Sequence, residues 1–291
     1  ALPETEPAPA ELKFSENGTC EFYIVYPEDF DKSIRDIAIS LRQQIKKYTG
    51  VEINIVSDEI LEKPIGDIGV EHRYEILLGP TAREQSKKYT GAMRARDYAF
   101  TFEGDKVIIA GLTLDTIDRA SELFINNVLI PQAKGNVGKA TVVLTEEDTF
   151  IYTYGKYTMN SCTVLGADIM EYRIVYAKND IYSAERYARL FKNELSEKAG
   201  FPLELKADTT AKSDDTTREI IFGLSNRGGD AVTVRHGYSI HADENKLYVI
   251  AECMEGYAAA YEYMTGTLFK GDTVEIAQSF HGMFESGAFI F

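Results

Sequence analysis

A six-residue stretch occurs twice in this chain, and this internal repeat constrains the fold more than any other feature of the sequence. Residues 21–26 read Glu-Phe-Tyr-Ile-Val-Tyr, and residues 171–176, 150 positions later, read Glu-Tyr-Arg-Ile-Val-Tyr. The segments that follow each copy also correspond. A repeat of this length predicts two related globular units in a chain of 291 residues, and it is too long for a solenoid of short repeats.

The segment after each copy is predicted to be an amphipathic helix. In the first unit the apolar side chains recur every three or four positions, which places them on one face of a helix. They are Ile34, Ile37, Ala38, Leu41, Ile45 and Tyr48. The residues 150 positions later are Ala184, Tyr187, Ala188, Phe191, Leu195 and Lys198, and only the last changes character. Gly50 and Gly200 then follow at the place where a glycine commonly ends a helix.

The later segments of the two units correspond at slightly smaller spacings. The buried strand at 76–79 matches residues 220–223, 144 positions later. The hairpin around Gly104 and Asp105 matches one near Asn245 at a spacing of 140. The spacing changes only in predicted loops, which tolerate changes in length. Each unit is therefore predicted to have the order strand, helix, strand, strand, hairpin and helix.

These correspondences also predict the domain boundaries. Residues 1–19 begin with a proline-rich, acidic run and are predicted to be a flexible N-terminal spacer, of the kind left after a secretion signal is removed. Unit 1 is predicted to cover residues 20–148 and unit 2 to cover residues 170–291. Residues 149–169 are predicted to be an aromatic segment between the two units.

Several of these phrases together resemble a known domain. They are a tyrosine-rich first strand, a helix ending in Thr-Gly or Ala-Gly, an Ile-Leu-Leu-Gly strand, and a hairpin leading into an alanine-containing helix. The combination resembles the small non-catalytic N-terminal α/β domain (the zincin-like domain 2) of β-N-acetylhexosaminidases and α-glucuronidases, over residues 21–129 and 171–269. The resemblance implies an α/β (α+β) fold in tandem repeat. Each unit would be a mixed sheet with two helices packed on one face.

Composition and motifs exclude several classes of function. A formal net charge of −15 argues against nucleic acid or an anionic membrane as a partner, because both require a basic surface. No apolar run reaches membrane-spanning length, so membrane insertion is not expected. The chain has no His-Glu-x-x-His motif, no nucleophile elbow and no phosphate-binding loop. We therefore expect no metal and no cofactor, and no catalytic residue is assigned.

The first candidate binding residues are aromatic. Phe150, Tyr152 and Tyr154 alternate, so a strand there would present three rings on one face, with Tyr157 close by. Such rings can stack on the C–H faces of sugars, which predicts a carbohydrate platform. The alternative, which general considerations favour, is that the rings pack between the units, since large apolar faces are usually covered.

The second candidate group is basic. Arg83, Arg94 and Arg96, together with Lys87 and Lys88, are the main positive concentration in an acidic chain. They could bind an anionic sugar or polymer. The alternative is that they offset neighbouring carboxylates, which contributes little net stability at a surface.

The sequence favours a non-catalytic function. The leading hypothesis is an extracellular or cell-surface accessory or binding module in glycan processing, with carbohydrate as its partner. The alternative is a piece of a larger glycoside hydrolase whose catalytic domain follows Phe291. The third hypothesis is an enzyme that uses a cleft between the units. A fold alone cannot decide between these functions.

Overall fold

The computed structural model describes residues 11–227 and 237–277, and the backbone of residues 281–285. The chain divides into two compact units, with the boundary between Tyr154 and Gly155. Both units combine helices with mixed sheets, which confirms the predicted α+β class.

Unit 1 contains eight strands and four α-helices among the described residues. The strands are β1 (Glu11–Ser15), β2 (Tyr23–Tyr26), β3 (Ile55–Ser57), β4 (Glu75–Leu78), β5 (Tyr98–Glu103), β6 (Lys106–Gly111), β7 (Val142–Thr145) and β8 (Phe150–Tyr152). The helices are α1 (Ile34–Thr49), α2 (Glu84–Thr90), α3 (Leu114–Leu123) and α4 (Ile130–Ala133). A π-helical segment, Phe124–Leu129, joins α3 to α4.

The main sheet of unit 1 has six strands in the order β3-β2-β4-β6-β5-β8. Strands β3, β2, β4 and β6 are parallel, and β5 and β8 join antiparallel at one edge. Alternate residues point to opposite faces of these strands. Side chains such as Ile24 and Ile76 pack against α1 and α3, and their neighbours Val25 and Leu77 form a second apolar cluster on the opposite face.

Helix α1 has the predicted apolar face. Ile34, Ala38, Leu41 and Ile45 are buried in the core of unit 1. The helix ends at Gly50, whose φ of 79° is in the left-handed region. A Cβ atom at position 50 would lie 2.1 Å from the carbonyl oxygen of Gly138, so both the backbone angle and the close packing require glycine here.

Unit 2 contains nine strands and two α-helices within the described ranges. The strands are β9 (Ser161–Val164), β10 (Ala167–Asp168), β11 (Arg173–Tyr176), β12 (Leu205–Ala207), β13 (Glu219–Phe222), β14 (Gly237–Asp243), β15 (Lys246–Ala251), β16 (Thr273–Ile276) and β17 (His281–Glu285). The helices are α5 (Ala184–Ala199) and α6 (Met254–Tyr263), and a π-helical segment, Met264–Leu268, follows α6.

The main sheet of unit 2 has the order β12-β11-β13-β15-β14-β17, which is the order of the corresponding strands in unit 1. The first four strands are again parallel, and the last two are again antiparallel. Helices α5 and α6 pack on one face of this sheet. The small accessory sheets differ, because β1 pairs antiparallel with β7 whereas β9 pairs parallel with β16.

Two segments differ from their predicted roles. Glu11–Ser15 was expected to lie in a flexible spacer, but it forms β1, because Leu12 and Phe14 alternate with polar residues and are buried in the core of unit 1. Residues 1–10 of that spacer lie outside the described residues. The predicted inter-unit segment 149–169 supplies strands to both units, since β8 belongs to unit 1 and β9 to unit 2.

Candidate functional site

Strand β8 is an edge strand of unit 1 with exposed apolar side chains. The exposed fraction is 40% for Phe150, 63% for Ile151 and 38% for Tyr152. In the pairing with β5, Tyr152 lies opposite Tyr98 and Phe150 opposite Phe100. Because directly paired residues point to the same face of a sheet, Phe150 and Tyr152 lie on the face of Tyr98. Ile151 points to the opposite face.

Three rings on this face form one surface, which we call the aromatic strip: Tyr98, Phe150 and Tyr152. The rings of Tyr98 and Tyr152 stack, with centroids 4.9 Å apart and planes at 26°. The rings of Tyr98 and Phe150 are 6.2 Å apart at 30°. The rings of Phe150 and Tyr152 are each inclined by 30° or less to the ring of Tyr98. The sequence pattern identified Phe150 and Tyr152, but it missed Tyr98, because strand register is not visible in an unaligned sequence.

A buried carboxylate fixes the chain just beyond the strip. Asp97, which is 6% exposed, accepts a hydrogen bond at Oδ1 from the backbone N–H of Tyr154, 2.9 Å away. Its Oδ2 accepts one from the backbone N–H of Arg94, 2.8 Å away. Strand β8 ends at Tyr152, so Tyr154 is held by this contact and not by the sheet.

An arginine and a tyrosine extend the surface beside the strip. The guanidinium carbon of Arg96 lies 4.6 Å from the ring centroid of Tyr154, within the range of a cation–π contact. The side chain of Arg96 is exposed and that of Arg94 is half-buried. The predicted basic residues Arg94 and Arg96 therefore lie just before Tyr98 in the chain, and Arg96 contacts the ring of Tyr154.

The other two predicted site residues lie elsewhere. Arg83 is 4% exposed, and its Nε lies 3.1 Å from Glu75 Oε2, so it offsets a buried carboxylate and is not available to a ligand. Tyr157 belongs to unit 2 and packs at the end of α5, where a Cβ atom at Gly200 would lie 2.3 Å from its ring. The contact of Arg83 with Glu75 matches the alternative for the basic group, in which an arginine offsets a neighbouring carboxylate.

A separate cavity of about 490 Å³ lies at the amino ends of β2 and β4 in unit 1. Its lining includes Tyr23 and His72, whose rings stack in parallel with centroids 3.6 Å apart. Burial raises the pKa of Tyr23 above its ordinary value, and the nearby Asp67 adds to this. Unit 2 has a cavity of about 470 Å³ at the matching position. Its lining includes Arg173 and contains no pair of stacked rings like Tyr23 and His72.

Within residues 11–227 and 237–277, no group of three or more His, Cys, Asp or Glu side chains could hold a metal ion. Among the helices of the described part of the chain, none is long and apolar enough to cross a membrane.

Comparison with known proteins gave distant structural neighbours. No family model and no curated protein matches the sequence. The chain is similar to the GH20 β-N-acetylhexosaminidase of Streptomyces coelicolor A3(2), with 11% identity over 74% of this chain and 32% of that one, at a TM-score of 0.31. It is also similar to a mutant β-hexosaminidase of Streptomyces plicatus, with 10% identity over 74% and 32% of the two chains, at a TM-score of 0.29.

A third structural neighbour is CpGH84D, with 11% identity over 77% of this chain and 31% of that chain, at a TM-score of 0.28. This chain thus spans about a third of the length of these neighbours. The structural neighbours include glycoside hydrolases, but likeness at this level carries no argument about function.

Proposed function

We propose that this chain is a non-catalytic carbohydrate-binding protein and that the aromatic strip of unit 1 is its contact surface for sugar. The observation that carries the proposal is the exposure of Phe150 and Tyr152 on an edge strand, with both rings next to Tyr98 and inclined to its ring by 30° or less. Exposing aromatic surface to water is unfavourable, by roughly 25 cal/mol per Å² of apolar area. A ligand that covers these rings regains that free energy.

The shape and surroundings of the strip favour a sugar. A pyranose ring presents an apolar C–H face that matches the flat face of an aromatic ring, and hydroxyl groups around its rim. The strip offers aromatic rings in the centre and the Tyr152 hydroxyl as a polar group at its border. Arg96, stacked on Tyr154, adds a guanidinium that can donate several hydrogen bonds to hydroxyl or carboxylate oxygens.

The wider role follows from the sequence resemblance and remains part of the proposal. The two units would be copies of one domain, which the shared strand order of their sheets supports. The protein would act outside the cell as an accessory module in glycan processing. A second candidate role, as a piece of a larger glycoside hydrolase, is supported by the same resemblance to the non-catalytic domain of such enzymes.

A glycan array followed by titration with the best ligand tests the proposal. We expect the wild-type chain to bind at least one polysaccharide. Tyr152→Ala should weaken that binding at least about tenfold, about 1.4 kcal/mol, with an unchanged melting temperature. The matched control is Tyr182→Ala, because Tyr182 is a similarly exposed tyrosine of unit 2, at 40%. Absence of any binding by the wild type, or equal losses in the two variants, would contradict the proposal.

A further inference from the structure

The outer edge of β8 has no partner strand among the described residues. The order of the sheet ends at β8, and β8 is paired only with β5. An unpaired edge presents backbone N–H and C=O groups that can pair with another chain. Proteins commonly protect such edges with charged side chains or proline. The sequence of residues 149–153, Thr-Phe-Ile-Tyr-Thr, contains neither.

This short sequence is complementary to itself. If two copies run antiparallel about Ile151, Thr149 lies opposite Thr153, Phe150 opposite Tyr152, and Ile151 opposite itself. Threonine pairs, aromatic pairs and β-branched pairs are all favourable across antiparallel strands, at roughly 0.2–1 kcal/mol each. The three strand positions Phe150, Ile151 and Tyr152 therefore each meet a suitable partner in a second copy, and threonines flank them on both sides.

We propose that β8 pairs with β8 of a second copy of this chain, about a two-fold axis that passes through Ile151. The two six-stranded sheets of unit 1 would then form one continuous sheet of two copies. Such an interface uses the same surface on both partners and closes after two copies, so it leads to a dimer and not to a fibre.

The side chains also disfavour two alternative registers. A shift of one residue would place the side chains of one copy on the opposite faces of the other. A shift of two residues toward the amino end would place the carboxylate of Asp148 opposite Tyr152. The register centred on Ile151 keeps all five paired positions uncharged. The net charge of −15 on each copy opposes association, so the dimer should be weak and should strengthen as salt screens the charge.

The pairing would also enlarge the aromatic strip. Residues directly opposite each other in antiparallel strands point to the same face. Phe150 and Tyr152 of both copies would therefore lie side by side on one face of the joined sheet. A double strip fits a longer oligosaccharide than a single strip does. This last consequence depends on the proposed sugar binding, whereas the pairing of the strands does not.

Disulfide trapping tests the predicted axis. In Ile151→Cys the two new thiols face each other, because Cβ atoms of directly opposite residues are about 4.5–5.5 Å apart. The matched control is Thr149→Cys, which is also exposed. Its two copies would be about 13 Å apart, four residues along the strand, which is too far for a disulfide. Under mild oxidation we expect a covalent dimer of Ile151→Cys, and none of Thr149→Cys or the wild type.

Equal cross-linking of the two cysteine variants would overturn the proposal. Mixing Thr149→Cys with Thr153→Cys should give a cross-linked heterodimer, since these two positions are opposite in the proposed register.

Sedimentation of the full chain provides a measurement without new cysteines. We expect the wild type to associate as concentration and salt rise. Ile151→Lys places two ammonium groups opposite each other at the axis and should abolish association. Circular dichroism should show an unchanged fold, because Ile151 is 63% exposed. A wild type that stays monomeric at millimolar concentration overturns the proposal.

The two proposals can fail separately. Ile151 points away from the aromatic strip, so Ile151→Lys should still bind a monosaccharide or disaccharide that the wild type binds. A wild type that associates but binds no sugar supports the dimer alone, and a wild type that binds sugar but stays monomeric supports the sugar binding alone.

Discussion

Each unit buries one glutamate in its central parallel strands, and the two sites differ in an informative way. Glu75 on β4 and Glu219 on β13 are both fully buried. Each is paired with an arginine eight positions later. The Nε of Arg83 lies 3.1 Å from Glu75 Oε2, and the Nε of Arg227 lies 3.1 Å from Glu219 Oε2. In both units, one cation beside the buried glutamate is thus an arginine at the same spacing in the sequence. We call it the first cation.

The second cation comes from different strands. In unit 1 it is Lys106 on β6, with Nζ 2.8 Å from Glu75 Oε2. In unit 2 it is Arg173 on β11, with a terminal nitrogen 2.6 Å from Glu219 Oε1. Lys246 occupies the register position of Lys106, but its Nζ lies 3.5 Å from the carbonyl oxygen of Asp214.

This difference shows that charge compensation is required, whereas its source can move between strands. A buried carboxylate is unfavourable unless it is paired and hydrogen-bonded. In unit 1 the second cation comes from β6. The position on β2 that corresponds to Arg173 is occupied there by Tyr23, which lies opposite Glu75. That residue stacks on His72 and lines the cavity of unit 1. With the second cation on β6, position 23 on β2 can hold an uncharged residue that lines the cavity.

The largest effect is expected for Glu75→Gln. The change leaves Arg83 and Lys106 buried near a neutral amide, and loss of one partner from a buried ion pair costs about 3–5 kcal/mol. Hydrogen exchange of the full chain, followed by mass spectrometry of peptides from each unit, measures the loss. We expect faster exchange in β4 and β6, and unchanged exchange in β13.

Glu71→Gln is the control for this variant. Glu71 also contacts Lys106, at 3.2 Å, but its side chain is 54% exposed. We expect its loss to change exchange little, because exposed ion pairs contribute about 0–1 kcal/mol. An equally small effect of Glu75→Gln would show that the buried network does not stabilise unit 1.

Moving the second cation of unit 1 to the strand that supplies it in unit 2 should change stability by a smaller amount. Lys106→Met removes a hydrogen bond to a charged group and should reduce stability by about 1.5–3 kcal/mol. Adding Tyr23→Arg places a guanidinium at the position that Arg173 has in unit 2, and at least half of the loss should return. Urea unfolding followed by circular dichroism checks both variants, and no recovery in the double variant would mean that the second cation is not transferable.

The loops at the carboxyl ends of the strands allow a second comparison. Asp58 accepts hydrogen bonds from the backbone N–H groups of Glu28 and Ala82, at 3.0 and 2.7 Å. Asp208 accepts them from Lys178 and Asn226, at 3.0 and 3.3 Å. Both aspartates therefore join two loops.

Alanine at either position should reduce stability by about 1–2 kcal/mol. Asp208→Ala should have the larger effect, because Asp208 is 8% exposed and Asp58 is half-buried. Melting temperatures of Asp58→Ala and Asp208→Ala test which variant loses more stability. The asparagine variant at each position is measured beside it. A larger effect of Asp58→Ala would contradict it.

The smallest effect concerns pH. Burial alone raises the pKa of Glu75, but hydrogen bonds from Arg83 and Lys106 hold that pKa below its usual value. A lowered pKa in the folded state stabilises the protein above the unfolded pKa of about 4.3, and this stability is lost as pH falls through the folded pKa. The difference in unfolding free energy between wild type and Glu75→Gln should be constant above about pH 5 and shrink below pH 4.

Urea midpoints at pH 6 and pH 3.5 measure this pH dependence. A difference that grows on acidification would mean that Glu75 is protonated more readily in the folded state.

The parts of the fold with strong local patterns were predictable. The apolar stripe of α1 and the hairpin of β5 and β6 were correct, because periodicity and turn residues are local properties. Strand β1 was missed, since only Leu12 and Phe14 mark it after a proline-rich run. The burial of Arg83 was missed because a positive charge in the sequence does not reveal its partner. The recurrence of a glutamate followed eight positions later by an arginine, in both units, was a signal that could have found it.

The two π-helical segments have a consequence for how the two units diverged. Phe124–Leu129 follows α3 and Met264–Leu268 follows α6, starting 140 positions apart, as do the hairpins. On the proposal that the units are copies of one domain, the wider helical turn was present before the copies diverged. The shorter connection between β12 and β13 changed length afterwards. On that proposal, a packed helical turn kept its width in both copies while a surface connection between strands changed by six residues.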